Sequence, residues 1–532
     1  MSLSKITLSC AAIFAASLTT AFAAVSRPML TVDFKSYQAL SQDVALVADA
    51  VGEDASMVMA QIPGMLGPEL FALLDQSQPW NVSAWMDSMM EPPVVAIILP
   101  IADFAAFETA VTSSFIGMMG AKYFDAGDHV VVYGTKPGMP VADTWAADLA
   151  SYAEALSLAP SETVELSFQL DASIKGMLLG AIAMPKAQMM AAFDDASMQD
   201  AGIPPEAMRE MMEMYFSFYE TMLRDMDSLG YDLSVKDGDL SIAFSFTPVA
   251  GSKSAAFLES QNIGIADLAS AAAWDSDMAI AFGFNELPEA WQPGLEKFMQ
   301  TLMPVYGLEA SDADNWVKLT NESFPFRSVY NIDFQDSLSF SGFYELLDTP
   351  TAEFYEECLA LIQSLKTADT INAYYSDITI ERAHRTQSGH SIDRLSLTLN
   401  PEHPTMQMPE QQEVMEKMFP GGQLIYEMSQ KGDRIYMASE GDLEDVFEAQ
   451  SQPSPIELNE NTRMAGVVNM ISIMQMGAGI ADAEAELDFS QLDTEGTQLK
   501  FSLETSDHLA MKTLIPLKLF KVFYELEMSA QP

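Results

Sequence analysis

The chain has 532 residues, 49% of them hydrophobic, so it is long enough for two or more domains and apolar enough to build folded cores. It carries 76 acidic and 26 basic residues, which gives a formal charge of −50. Nucleic acids and anionic membranes are polyanions that such a surface repels, so we expect neither as a partner. Adaptation to a saline medium and capture of cations or of a basic partner would each account for the acidity.

The N-terminal 23 residues have the pattern of a secretory signal peptide. Lys5 precedes an apolar stretch from Ile6 to Phe22, and residues 21–23 form an A-x-A cleavage sequence that ends at Ala23. Serine and threonine residues interrupt the stretch, whereas a membrane span needs about 20 predominantly apolar residues. We expect cleavage near Ala23, a periplasmic or secreted protein, and no stable membrane span.

Residues 24–265 are predicted to form a first domain in which strands and helices alternate. In chain order we expect a strand at 29–34, a strand at 94–99 with a helix over 104–115, a short hairpin within 122–133, a strand at 165–170 that leads into helices, and a hairpin over 231–246. Apolar residues alternate on both arms of the last hairpin, and Asp237-Gly238 supplies the positive φ angles of a type I′ turn. A helix is predicted from about Lys253 to Ser260.

Residues 275–532 are predicted to form a second domain with a similar order of elements. We expect a strand at 278–284, hairpins over 329–344, 378–399 and 424–438, helices after Pro350 and near 409–419, a strand at 463–468, and a last hairpin over 486–504. The final helix is expected to begin at Ser506 as its N-cap and to end near Leu526.

The recurrence of hairpins followed by helices predicts an α+β fold with mainly antiparallel sheets. We expect curved sheets covered by helices on one face, because strands of alternating polarity bury one face. The order of elements repeats between the two domains, so the sequence indicates two related halves and a possible duplication. Gly-rich turns between strands and helices are missing, which argues against a doubly wound nucleotide-binding fold.

The 37 methionines are clustered, and one cluster lies on a predicted helix over 208–226. In this helix they alternate with aromatic residues at helical spacing. Packing of a helix core, an adaptable apolar groove and binding of Cu(I) are all compatible with such thioether clusters. The residues predicted to line an apolar groove are Met208, Met211, Met212, Tyr215, Phe218 and Met222.

Other chemically reactive residue types do not assemble into a recognised motif. His384 and His390 lie on opposite arms of one predicted hairpin, where they could approach each other as a metal pair or remain solvated. Cys358 is expected to be a small core residue rather than a nucleophile. The stretch Asp312-Ala-Asp314-Asn315 lacks the glycine and distant glutamate of an EF-hand and is interpreted as a helix cap or loop. The sequence therefore predicts no catalytic residue, no metal ligand and no cofactor.

Two stretches combine short motifs in a fixed order. One is the strand Val94–Leu99 with Pro100, Asp103-Phe104 and the later strand Asp128–Gly134, and the other is the Asp237-Gly238 hairpin with Pro248 and Gly251-Ser252. Together they resemble large exported proteins of aquatic bacteria for which no activity is established. The resemblance implies export and assigns no functional residue.

These features favour an exported, soluble, acidic protein that is not an enzyme and that binds an apolar small molecule or a protein partner, or serves as an interaction scaffold. An exported hydrolase with an unrecognised active site is the alternative. An enclosed cavity lined by Met and Phe would favour a carrier, and a cleft with a perturbed acid or base pair would favour an enzyme. A structural or envelope protein is the third hypothesis, and it predicts large exposed apolar patches without a cavity. The sequence does not specify an oligomeric state.

Overall fold

The computed structural model describes most of the chain between residues 28 and 529. The described ranges are 28–85, 93–135, 145–155, 159–192, 205–287, 292–302, 310–334, 338–366, 375–402, 420–439, 441, 443–448, 453–480 and 495–529. The chain divides into two compact units, each built from separate segments. Unit 1 takes the described residues of 1–178, 226–247 and 512–528, and unit 2 takes those of 179–225, 248–511 and 529–532.

Strands and helices alternate along the chain. Up to residue 260 the described elements are β1 Leu30–Phe34, α1 Tyr37–Ala50, α2 Ala55–Met59, α3 Gln61–Leu66, α4 Pro68–Leu73, β2 Trp80–Trp85, β3 Val94–Leu99, α5 Phe104–Val111, α6 Phe115–Met118, β4 Lys122–Asp125, β5 Val130–Gly134, α7 Trp145–Ala155, β6 Val164–Gln169, α8 Ala172–Ala192, α9 Pro205–Asp225, β7 Met226–Lys236, β8 Asp239–Pro248 and α10 Lys253–Ser260.

After residue 260, the described part of the chain includes the short 3₁₀ turns Ala269–Ala271 and Pro420–Gly422. Its other elements are β9 Met278–Phe284, α11 Gln292–Leu302, α12 Ala310–Glu322, β10 Phe326–Asp333, β11 Ser339–Leu346, α13 Thr351–Leu365, β12 Tyr375–Gln387, β13 His390–Leu399, β14 Gln423–Lys431, β15 Arg434–Ser439, α14 Leu443–Glu448, β16 Thr462–Val468, α15 Met470–Ile480, β17 Leu499–Thr505, β18 Leu509–Pro516 and α16 Leu517–Ser529.

Unit 1 contains an antiparallel sheet in which β1 is a central strand. β1 pairs with β2 on one side and with β6 on the other. Beyond β2 follow β3, β5 and β4, and beyond β6 follows β7. The strand order is therefore β4-β5-β3-β2-β1-β6-β7, so strands that are distant in the sequence become neighbours.

Apolar side chains on both faces of the unit 1 sheet are buried. On one face Leu99 packs with Phe107 of α5 and Leu70 of α4, and on the other Ile98 packs with Trp145 of α7. Successive residues of a strand point to opposite faces, which is why adjacent positions join different cores. Phe107 and Leu99 are 0% and 1% exposed, and burial of such a side chain stabilises the fold by about 1.5–3 kcal/mol.

The strands of unit 2 also pair in antiparallel fashion. Its pairings give the order β12-β13-β14-β15-β11-β10-β9-β16-β17. Here β9 is an internal strand between β10 and β16, as β1 is between β2 and β6. The prediction of an α+β protein with mainly antiparallel sheets is confirmed by both units.

The sheet of unit 2 is also packed on both faces. Ala281 of β9 joins a core with Trp274 and with Leu443 of α14, whereas the next residue, Phe282, packs with Leu319 of α12 in a second core. Helices thus contribute to cores on both sides of β9. Cover by helices on one face alone is not confirmed.

The strand pair β12–β13, at one edge of this sheet, contains a bulge that a buried carboxylate holds in place. Residues 382–384 of β12 face the single residue Asp393 of β13. Asp393 is 5% exposed, and its carboxylate accepts hydrogen bonds from the backbone N–H of Ala383 (2.7 Å), the hydroxyl of Tyr355 (2.9 Å) and Nε of Arg382 (3.0 Å). Extra residues in an edge strand interrupt its hydrogen-bonding edge, which disfavours pairing with other chains.

The predicted hairpin at Asp237-Gly238 and the helix that follows it are confirmed. Asp237 has φ 53° and Gly238 has φ 86°, and both positive angles are those that a type I′ turn requires. The turn joins β7 to β8, and α10 spans Lys253–Ser260 as predicted.

The predicted helix start at Ser506 is wrong. Residues 509–516 form β18, and the helix begins at Leu517. Ser506 lies in the turn before β18, where its backbone N–H donates to the carbonyl of His508 (2.9 Å) and its hydroxyl donates to Asp507 (3.0 Å). Its side chain therefore stabilises a turn, and the alternating residues after it form a strand that ends at Pro516. The predicted helix near 409–419 and the hairpin arm at 486–492 lie outside the described residues.

Candidate functional site

Lys186 of α8 contacts α9 in unit 2. Nζ of Lys186 forms an ion pair with Glu220 (2.7 Å) and lies 5.7 Å from the ring centre of Phe216. Half-buried positions on this part of α8 recur at 179, 182, 186 and 190, the spacing of one helix face. This face of α8 is therefore the one turned toward α9.

The opposite side of α8 is exposed to solvent and carries no charged residue. Met184 is 70% exposed and Met189 is 39% exposed, and Ala181, Ala187 and Gln188 are exposed beside them. Lys186 is the only charged residue between 179 and 192, and it is engaged with α9. We call this surface, formed by Gly180, Ala181, Met184, Ala187, Gln188 and Met189, the α8 face.

All six residues of the predicted apolar groove lie on α9. Their spacing places them on one face of that helix. Met212, Phe218 and Met222 are half-buried, whereas Tyr215 is 49% exposed. The side chains of Met208 and Met211 lie outside the described part of the chain. The groove itself stays a prediction.

Other residues on α9 contact one another and the helix α11. Tyr219, 42% exposed, packs edge to face on Tyr215 with ring centres 4.7 Å apart, and their hydroxyls are 2.9 Å apart. Met214 packs on α11, because a Cβ added at Gly294 would lie 2.8 Å from its Cγ. The sequence interpretation missed Tyr219 and the α8 face, although the stretch 179–192 with a single charge was a visible signal.

Unit 1 contains a different feature, a row of polar side chains across four adjacent strands. Asn81, Asp33, Glu165 and Asp232 are successive register partners on β2, β1, β6 and β7. Register partners of an antiparallel sheet project on the same face about 4.5–5.5 Å apart at Cα. We call Asp33, Glu165 and Asp232 the acid row.

The pKa values of Asp33 and Asp232 are raised because these carboxyl groups are partly buried beside other acids. Burial raises the pKa of Asp232 to about 6, with added repulsion from Glu165 and Glu162. Burial also raises the pKa of Asp33, opposed by the hydrogen bond from Asn81 (2.7 Å). Asp232 therefore exchanges its proton at a higher pH than an exposed aspartate does.

A tyrosine lies close to the end of this row. The hydroxyl of Tyr152 on α7 is 2.8 Å from Oγ of Ser83, which donates to Asn81 (2.8 Å). Burial raises the pKa of Tyr152, so it stays protonated as a hydrogen-bonding group. Across the described residues, no group of three or more His, Cys, Asp or Glu side chains is arranged to hold a metal ion.

The other residues weighed from the sequence occupy separate places. Cys358 is half-buried in α13, and burial raises the pKa of its thiol to about 11. Nδ1 of His384 lies 2.7 Å from Glu381, while the ring of His390 lies 5.9 Å from that of Phe447. The stretch 312–315 lies inside α12, so its interpretation as a cap or loop is wrong.

Comparison with known proteins does not add a family. No family model, no curated protein and no solved structure matches the chain. Within the described ranges, each helix is too short or too polar to cross a membrane.

Proposed function

We propose that this protein is an exported, non-enzymatic binding protein that holds an apolar ligand or partner on its helices α8 and α9. The observation that supports this function is the α8 face, where Met184 is 70% exposed on a surface without charged residues. A helix that is apolar on all sides is normally buried in a core or a membrane. An apolar helix side left in water is typical of a surface that another molecule covers.

The residue types of this surface suit binding of varied apolar shapes. Methionine is flexible and polarizable, so Met184 and Met189 can adapt to a ligand without a fixed pocket. On α9, the exposed rings of Tyr215 and Tyr219 offer a second apolar contact area, and their hydroxyls are hydrogen-bonded to each other. Burial of one such methionine would contribute about 1.5–3 kcal/mol to binding.

Binding of a neutral apolar probe tests the proposal directly. We expect Nile red to bind with an affinity that falls about threefold to tenfold in Met184→Gln, because the polar side chain removes part of the apolar contact. Met57→Gln is the matched control, since Met57 on α2 is 74% exposed and lies in unit 1. Equal binding by wild type, Met184→Gln and Met57→Gln would reject the α8 face as the site. Native mass spectrometry of protein from its own host would show a retained ligand as added mass.

Export and duplication complete the proposal. The supporting features of export are the pattern of residues 1–23 and the acidity of the chain, and N-terminal sequencing of the mature protein should begin near residue 24.

A duplication that gave two related halves, 24–265 and 275–532, is supported by the strand order, because the two orders match position by position. They are β5-β3-β2-β1-β6-β7 and β15-β11-β10-β9-β16-β17.

A hydrolase is the second candidate, and the acid row is the feature that favours it. Adjacent carboxyl groups in a partly buried place, one of them with its pKa raised to about 6, can serve as acid and base. Asp232→Asn tests this alternative against panels of chromogenic esters and glycosides between pH 4 and 8. Turnover by the wild-type protein that Asp232→Asn abolishes would replace the binding function with an enzymatic one.

A further inference from the structure

We infer that the partner of the α8 face is a cationic amphipathic helix supplied by another protein or peptide. This inference rests on the proposed binding function and adds the chemical class of the partner. It comes from the acidity of the chain and of α9, from the small side chains on the α8 face, and from the helical state of its backbone.

The α8 face belongs to a strongly acidic chain. Helix α9, which Lys186 contacts, contains five acidic and two basic residues. Lys186 and Arg224 both pair with Glu220 (2.7 and 3.5 Å), and Lys297 pairs with Glu210, so three other acids of α9 remain. The formal charge of the whole chain is −50. A cationic partner gains attraction here, whereas an anionic membrane or a second copy of the chain is repelled.

Small side chains make the α8 face suitable for close approach of another helix. Gly180 and Ala187 are small and lie one turn on either side of Met184 along the exposed side, so a partner helix can approach the backbone there while it contacts Met184. A Cβ added at Gly180 would meet no atom within 4 Å, so the space above it is open. Helices that pack through small residues can approach to interaxial distances of about 8 Å.

The backbone of α8 also favours a helix over a strand as the partner. Residues 172–192 are helical, with Pro185 as the one interior residue that lacks a backbone N–H, so α8 does not offer the strand edge to which an extended peptide would add. What it offers is a ridge of apolar side chains. Ridges and grooves of that kind accept the apolar face of an amphipathic helix.

Synthetic peptides of about 14 residues, roughly 20 Å of helix, match the length of the α8 face. One carries Leu at helical spacing and Lys elsewhere, the second replaces Lys by Glu, and the third keeps the Lys/Leu composition in a scrambled order. Fluorescence anisotropy with the full chain at about 0.15 M salt measures each affinity, since exposed charges more than about 8 Å apart are then screened. We expect the cationic amphipathic peptide to bind at least tenfold more tightly than the other two.

Variants on α8 tie the binding to this surface. Met184→Gln should weaken the cationic peptide about threefold or more, and Met57→Gln should leave its affinity unchanged. Ala187→Lys and Ala187→Glu place opposite charges at one exposed position with nearly equal helix propensity, so both should fold. For a cationic partner Ala187→Lys should bind about three- to tenfold more weakly than Ala187→Glu.

The outcomes separate this inference from the proposed function. If the acidic and cationic peptides bind equally and Met184→Gln weakens both, the surface binds apolar helices but the inferred charge of the partner is wrong. Equal binding of the scrambled peptide shows non-specific attraction and overturns the inference. Dimerisation in sedimentation velocity, or binding to neutral phosphatidylcholine vesicles, that Met184→Gln abolishes would assign the α8 face to another occupant. If neither Nile red nor any peptide responds to Met184→Gln, the proposed function fails as well.

Discussion

Asp232 offers the most direct test of the electrostatics of unit 1. Its carboxyl group is half-buried beside Glu165 and Glu162, and its pKa is raised from 3.8 to about 6. A tenfold change in an ionisation equilibrium corresponds to about 1.4 kcal/mol, so a rise in pKa of this size would cost the ionised folded state about 3 kcal/mol in full. Solvent screening at this half-buried position reduces the expected cost to about 1–2 kcal/mol.

The direction of the pH dependence follows from the raised pKa. Below about pH 3.8 Asp232 is protonated in the folded and unfolded states, and its ionisation costs nothing. As pH rises through about 6, the folded state must release a proton that the unfolded state has already lost, and stability falls. Asp232→Asn removes the charge, so it should stabilise unit 1 by about 1–2 kcal/mol at pH 8 and by little at pH 3.5.

Urea unfolding at pH 8 and pH 3.5, followed by circular dichroism, measures this difference. Asp128→Asn is the matched control, because Asp128 is exposed in the turn between β4 and β5 and lies away from the acid row. The control should show the same free energy of unfolding as the wild type at both pH values. A gain for Asp232→Asn that is equal at both pH values, or a loss at pH 8, would refute the account of the acid row.

Three further predictions concern stability and reactivity. Asp393→Ala removes the acceptor for the donors of Ala383, Tyr355 and Arg382 at the bulge, so it should lower the free energy of unfolding by about 2–4 kcal/mol in urea titrations. The control Asp377→Ala, at an exposed position of the same strand pair, should change this free energy far less. Gly238→Ala should lower the stability of the folded protein by about 1 kcal/mol or more in thermal melts, because φ is 86° at this position. Gly180→Ala should instead raise it by about 0.5–1 kcal/mol, because Gly180 lies inside a helix with open space around it. The thiol of Cys358, with its pKa raised to about 11, should resist iodoacetamide at pH 8 until urea unfolds the chain; rapid alkylation of the native protein would contradict its burial.

Local patterns in the sequence were sufficient for many individual elements. Alternating apolar residues around Asp237-Gly238 predicted a hairpin with its turn type, because both depend on residues close in sequence. The same local logic failed at Ser506, which can cap a helix or stabilise a turn equally well. The residues after it alternate in polarity, and that longer pattern determined a strand.

The order of strands and the exposed surfaces were decided by the tertiary structure. Asp33, Glu165 and Asp232 are far apart in the sequence, and they form a row because β1, β6 and β7 pair in one register. Register is set by which face of each strand is buried, a property of the assembled sheet that no short segment contains. The methionines of α8 and α9 were visible in the sequence. Which methionines are exposed to water depended on the contacts of α8 with α9 and of α9 with α11. Composition determines that a helix is apolar, but the neighbouring elements determine which side of the helix is covered.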